Sequence, residues 1–185
     1  MVDNFERFVS ESTKLHQETL VEQIRISEDV NKYTTWFLGL STAGVGLLIG
    51  RFESIVQKSW IGPGCIKLSL FTVGVLLFLS IALGVLHHYL SIKERNCARV
   101  LIAMFGAQRL IPFFKHPDYP KDDIPEDMHN RISRGELLNN EKIPKFKNTQ
   151  EQAKSLRNYQ SKVFAAQQIC SGLSYVLFFL CSITK

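Results

Sequence analysis

The chain has 185 residues, one domain's worth, of which 45% are hydrophobic and 21% charged. Its mean hydropathy of +0.01 hides a sharp segregation. Three runs, 33–50, 68–92 and 163–184, contain no charged side chain. Each reaches the roughly 18–20 residues that an α-helix needs to cross a bilayer's hydrocarbon core, which excludes an ordinary soluble domain. The expected fold class is an all-α integral membrane protein. A two-span hairpin and a C-terminal span would make three transmembrane helices, joined by a long cytoplasmic helical extension.

Residues 1–32 read as a cytoplasmic helical arm. Beyond the first residues they hold no Pro or Gly, and Asp3 or Asn4 can cap the start. Seven acids against four bases make the arm acidic, which favours protein contact over an anionic lipid surface. No signal-peptide pattern opens the chain, so the first apolar run is expected to stay as an anchor.

Residues 33–91 form the expected hairpin, with spans of about 33–50 and 66–91. Tyr33 and Trp36 sit where an interfacial aromatic belt belongs. Gly39, Ala43, Gly46 and Gly50 follow at spacings of four, three and four, and so share one helix face. In lipid, small residues let helix backbones approach closely, so this face is the expected packing surface, against span two or against a second copy. Gly62-Pro63-Gly64 signals the turn within the connecting loop 51–67, and Trp60 belongs at the outer interface. His87 and His88 stand near the cytoplasmic end of span two, where they are either interfacial histidines or gating groups.

Residues 92–162 are the expected cytoplasmic region. The helix of span two should run on to Leu110, with Pro112 ending it. Five prolines punctuate 111–149, and the acids Asp118, Asp122, Asp123, Glu126 and Asp127 form a turn-rich stretch suited to partner docking. They lack the order of a calcium loop. Lys142, Lys145 and Lys147 follow as a basic patch, able to meet acidic lipid, nucleic acid or protein, or to serve only as orientation charge. Thr149 and Gln152 have capping-box spacing, which predicts a helix start near Asn148.

Residues 163–184 complete the set. Gln167, Gln168, Ser171 and Ser174 make the first half of this run polar, so these groups need partners in the bundle or along a wet path. If they do not span, two spans remain with both ends inside.

Lys and Arg fix the expected orientation. Four precede span one, three lie between spans one and two, fourteen between spans two and three, and one follows. The N-terminus and the long connection are therefore expected to be cytoplasmic. The same distribution accounts for the net charge of +5 without invoking nucleic acid. Cys65, Cys97, Cys170 and Cys181 form no C-x-x-C and no disulfide framework. No phosphate loop, dinucleotide fingerprint, zincin or nucleophile-elbow motif is present, so neither an enzyme nor a cofactor or metal site is expected.

The Trp-Phe-Leu-Gly-Leu-Ser-Thr run at 36–42, the acidic arm before it and the long helix after span two resemble small membrane effectors of bacterial anti-phage systems. The two-span effectors of retron systems are nearest in character, and cyclic-nucleotide-triggered two-span effectors next. The resemblance covers about residues 20–105, and the third span departs from the two-span pattern. It implies a homo-oligomeric toxin of the bacterial inner membrane, restrained by a cytoplasmic partner such as a reverse transcriptase with its RNA–DNA product. The alternative is a membrane-anchored adaptor that docks a soluble partner through residues 92–160.

Overall fold

The computed structural model describes residues 4–58, 63–110, 126–138 and 141–182. These residues are helical apart from short turns, in four helices: α1 (Asn4–Lys58), α2 (Pro63–Leu110), α3 (Met128–Ser133) and α4 (Ile143–Ser182). Three of them, α1, α2 and α4, are long and apolar enough to cross a membrane.

Two expected boundaries move. The connection expected over 51–67 is mostly helix, because Arg51 to Lys58 contains no breaker and Ile55 is buried. Pro63 opens α2 at its first position, where a missing N–H costs nothing. Trp60 and Gly62 lie outside the described residues. The capping box at Thr149 is also overturned. α4 begins at Ile143, with Pro144 tolerated in the first turn, and the Thr149 hydroxyl donates to the Lys145 carbonyl inside the helix, 2.8 Å.

The chain divides into two compact units. The first comprises Met1–Glu28 and Ile92–Arg157, the second Asp29–Ser91 and Asn158–Lys185.

The first unit has an apolar core. Phe5 and Val9 from α1, Leu101 and Phe105 from α2, and Phe146 and Ala153 from α4 form it with Met128, Ile132, Leu137 and Leu138. The last four belong to α3 and the turn after it, a buried element inside the stretch that the sequence marks as loop. Gly135 makes that turn possible. Its N–H bonds the Ile132 carbonyl, and the Glu136 N–H reaches back to the Arg131 carbonyl, so a Schellman motif closes α3. Gly135 has φ +72°, and a Cβ there would sit 2.5 Å from the Phe146 ring. Both facts admit only glycine. Outside the core, Arg157 bonds Gln23 at 2.6 Å and the buried Glu94 at 3.1 Å.

The second unit has a different distribution. α2 buries Ile66, Leu70, Val73, Leu77, Ser80, Gly84, His87 and Ser91, at alternating spacings of four and three. α4 buries Gln160, Gln167, Ser174 and Cys181, every seventh residue, with Ser171 between them. A 3.5-residue period is that of supercoiled helices packing knobs into holes. Here, however, about half of these inward residues are polar. Many large apolar side chains of this unit are exposed: Ile49 is 74% exposed, Phe71 70% and Phe179 71%. In water such a surface would be a liability. In lipid it is the expected one.

Candidate functional site

The second unit carries a polar seam between α1, α2 and α4. At one end Asn31 Nδ2 donates to Ser91 Oγ at 2.7 Å. Next, Thr34 Oγ1 meets His87 Nδ1 at 3.0 Å, and the His87 ring packs 5.5 Å from that of Phe164. Then Ser41 Oγ and Ser80 Oγ lie 2.9 Å apart, and Ser80 Oγ reaches the Gln167 carbonyl at 3.5 Å. With its one proton on that carbonyl, Ser80 accepts from Ser41. Each of these pairs joins α1 to α2, and Gln167 brings in α4. Ser80 to Ser91 spans about 16 Å of helix, roughly half of a hydrocarbon core.

The seam is shut. Thr34, Ser41, Ser80, Ser91 and Gln167 have no accessible surface beyond 0%. Both amide atoms of Gln167 are buried without a partner. Beyond the seam an apolar cluster of Ile55, Ile66, Leu70 and Cys181 takes over, flanked by Leu48, Val56 and Phe178. The apolar part of α2, from Ile66 to Leu77, is again about 16 Å long.

Two glycines let the three helices close on these small polar groups. A Cβ at Gly84 would stand 2.6 Å from both Leu38 Cδ2 and Gln167 Nε2. One at Gly44 would stand 3.1 Å from Leu77 Cδ2 and the Tyr175 hydroxyl. Tyr175 donates that hydroxyl to the Leu40 carbonyl, binding α4 to α1.

The residues singled out by sequence divide accordingly. Gly39, Ala43, Gly46 and Gly50 are all exposed, and a Cβ at any of the three glycines would meet nothing within 4 Å. Packing of this face against span two is therefore corrected: it points away from the seam. On a helix turning 100° per residue, Gly39 and Ala43 each lie about 200° from Ser41. The in-chain packing glycines are Gly44 and Gly84, whose signal was their spacing from Ser41 and Ser80, three and four residues on. His87 and Gln167 meet the seam. His88 is only partly covered and bonds Thr35 at 3.2 Å. Gln168 is exposed, about 100° round the helix from Gln167, so the pairing of Gln167 with Gln168 in one lining is not what the fold brings together.

The expected docking residues belong to the first unit. Asp118, Asp122 and Asp123 lie outside the described residues, while Glu126 and Asp127 are exposed in the turn before α3. Lys142, Lys145 and Lys147 are exposed around the first turns of α4. Among the described residues no three His, Cys, Asp or Glu side chains converge. A separate cluster, not anticipated from the sequence, joins α1 to α3: His16 stacks between Phe105, at 5.0 Å, and His129, at 5.1 Å, and Ser12 Oγ meets His129 Nδ1 at 3.0 Å. Burial, and then the neighbouring His129, pushes the His16 pKa down.

No family model, curated protein or solved structure matches this chain.

Proposed function

We propose that the chain is a membrane effector that perturbs the membrane potential when its bundle opens. One observation carries this reading: a hydrogen-bonded polar seam runs inside three helices whose exposed surface is apolar. Burying hydroxyls, a histidine and a glutamine among spans is costly unless they are used. Parted helices would offer these groups to water and ions, whereas the closed bundle seals them. Several opened copies assembling through the outward face of Gly39, Ala43, Gly46 and Gly50 would line a wider path. The cytoplasmic residues 92–160 would receive the restraining protein or ribonucleoprotein, and the bacterial inner membrane is the proposed site of action.

Induced expression of the full chain in a bacterium, with a potential-sensitive dye read over time, tests this. Depolarisation by the wild type, lost in Gly46→Leu and reduced in Ser41→Ala/Ser80→Ala, is the expected result. Full potential at verified membrane expression, alone and with candidate triggers, would sink it.

A second reading, the membrane-anchored adaptor, is favoured by one observation. The pairs Asn31–Ser91, Thr34–His87 and Ser41–Ser80 satisfy one another across helices, as interhelical bonds of a static anchor would. Co-purification of a soluble partner, lost with Lys142→Glu/Lys145→Glu while the potential stays intact, would favour it.

A further inference from the structure

Two grooves flank Leu48 and Phe52 on α1. One, of about 490 Å³, ends at Glu53. The other, of about 420 Å³, runs along α2 past Phe71, Gly74 and Phe78 and carries Lys67 as the one charged residue among its described lining. Both volumes fall within the usual range of small-ligand pockets. The second has the shape of a slot. Lys67, Phe71, Gly74 and Phe78 recur at four, three and four, so they form one stripe along α2. From Lys67 to Phe78 that stripe is about 16 Å long. One leaflet of a bilayer's hydrocarbon is about 15 Å deep.

Gly74 sets the depth of the slot. A Cβ there would already be 3.2 Å from Leu48 Cδ2, and a larger side chain would fill it. Phe71 and Phe78, 70% and 64% exposed, wall it from the side. The slot therefore offers apolar length equal to one acyl chain and a single cation at the end where a headgroup would lie. The neighbouring groove offers a carboxylate at that place.

We propose that the slot between Leu48, Phe52, Gly74 and Phe78 holds an acyl chain of an anionic glycerophospholipid, with its phosphate on the Lys67 ammonium. This goes beyond the reading of the seam and does not depend on it, since it requires only that the chain sit in a bilayer. A lysine beside an anionic headgroup contributes about a fivefold preference over a zwitterionic lipid. Glu53 opposes the same headgroup in the other groove, so charge selects between the two.

The test uses the full chain in detergent, with phosphatidylglycerol or phosphatidylcholine added and retained lipid counted by native mass spectrometry. The expected result is about fivefold greater retention of phosphatidylglycerol. Lys67→Gln should equalise the two lipids, Gly74→Leu should reduce retention of both, and Glu53→Gln should leave the Lys67-dependent difference in place. Because Gly74→Leu tightens a helix contact, Lys67→Gln is the variant that decides if the former does not fold. Equal retention of both lipids by the wild type overturns the proposal, as does a preference that survives Lys67→Gln. A dimer that Gly74→Leu dissolves, with no lipid retained, would assign the slot to a second copy and overturn it too.

Discussion

The two units draw on the same three long helices, and α2 buries residues at the same alternating spacing in each, yet the second buries more polar groups and exposes more large apolar ones. In the first unit Leu101, Phe105 and Phe146 are buried, and Arg7, Lys14 and Glu18 are exposed in i,i+4 ion pairs. In the second unit Thr34, Ser41, Ser80 and Gln167 are buried, and Phe71, Phe78 and Phe179 are exposed. Spacing therefore specifies which face turns inward, and the make-up of that face differs as it would between helices packed in water and helices packed in lipid. Water drives apolar groups together. Lipid supplies no such drive between apolar helices, so close backbone approach and hydrogen bonds hold them instead.

The largest test of this contrast compares two phenylalanines. Phe146→Ala should destabilise the first unit by about 3–5 kcal/mol, since a fully buried ring is lost from around Phe105 and Gly135. Phe179→Ala, on the exposed face of the second unit, should stay within about 0.5 kcal/mol. Amide hydrogen exchange of residues 128–138 and of α4 in the same detergent sample reads both. Equal losses at the two sites would erase the contrast.

A smaller effect separates the two kinds of glycine. Gly84→Leu should cost about 1–3 kcal/mol, because its side chain enters the space of Leu38 and Gln167. At Gly46 an added Cβ meets nothing within 4 Å, so Gly46→Leu should leave the monomer's stability unchanged. Unfolding in detergent at low protein concentration distinguishes them, and any loss in Gly46→Leu that appears only at high concentration reports contact between copies.

The seam's hydroxyls come next. A double-mutant cycle of Ser41→Ala and Ser80→Ala should give a coupling of about 0.6 kcal/mol, as interhelical bonds in membranes do. A coupling indistinguishable from zero would mean that the pair is not bonded in the bilayer.

The smallest effect is on pH dependence and is confined to the first unit. Burial holds the His16 pKa below its ordinary value of about 6.5, with His129 adding to the shift. Below about 6.5 the unfolded chain binds a proton that the folded unit resists. Stability is therefore complete above that pH and falls as pH drops through the folded value. His16→Gln should flatten the slope between pH 7 and 5 in hydrogen exchange of α3, and an unchanged slope would assign it elsewhere.

The long helices were legible from composition because a run without charges needs no context. So was the continuation of α2 to Leu110, since nothing between Ile92 and Leu110 breaks a helix. The seam was harder. On α1 two stripes compete: Gly39, Ala43, Gly46 and Gly50 on one side, and Thr34, Ser41 and Gly44 on the other. Both have helical spacing and small residues, and in lipid either could turn inward. What decides is the set of partners on α2 and α4, which lies 39 to 135 residues away. α3 was hidden for a different reason. Six residues among turn formers carry no periodicity, and Met128 and Ile132 become core only because Gly135 folds the following turn back onto Phe146.

The sevenfold recurrence on α4 has a consequence for how the gene can change. Phe146, Ala153, Gln160, Gln167, Ser174 and Cys181 keep one phase along the helix. Loss of a single codon between Ala153 and Gln160 would advance every later residue by about 100°. Gln167 and Ser174 would rotate out of the seam, and exposed Gln168 and half-buried Tyr175 would take their places in the count. Loss or gain of seven codons would keep the phase. Length variation within this helix should therefore come in multiples of seven, whereas substitutions on the outward face of its last part, around Ile169 to Leu180, remain free as long as they stay apolar.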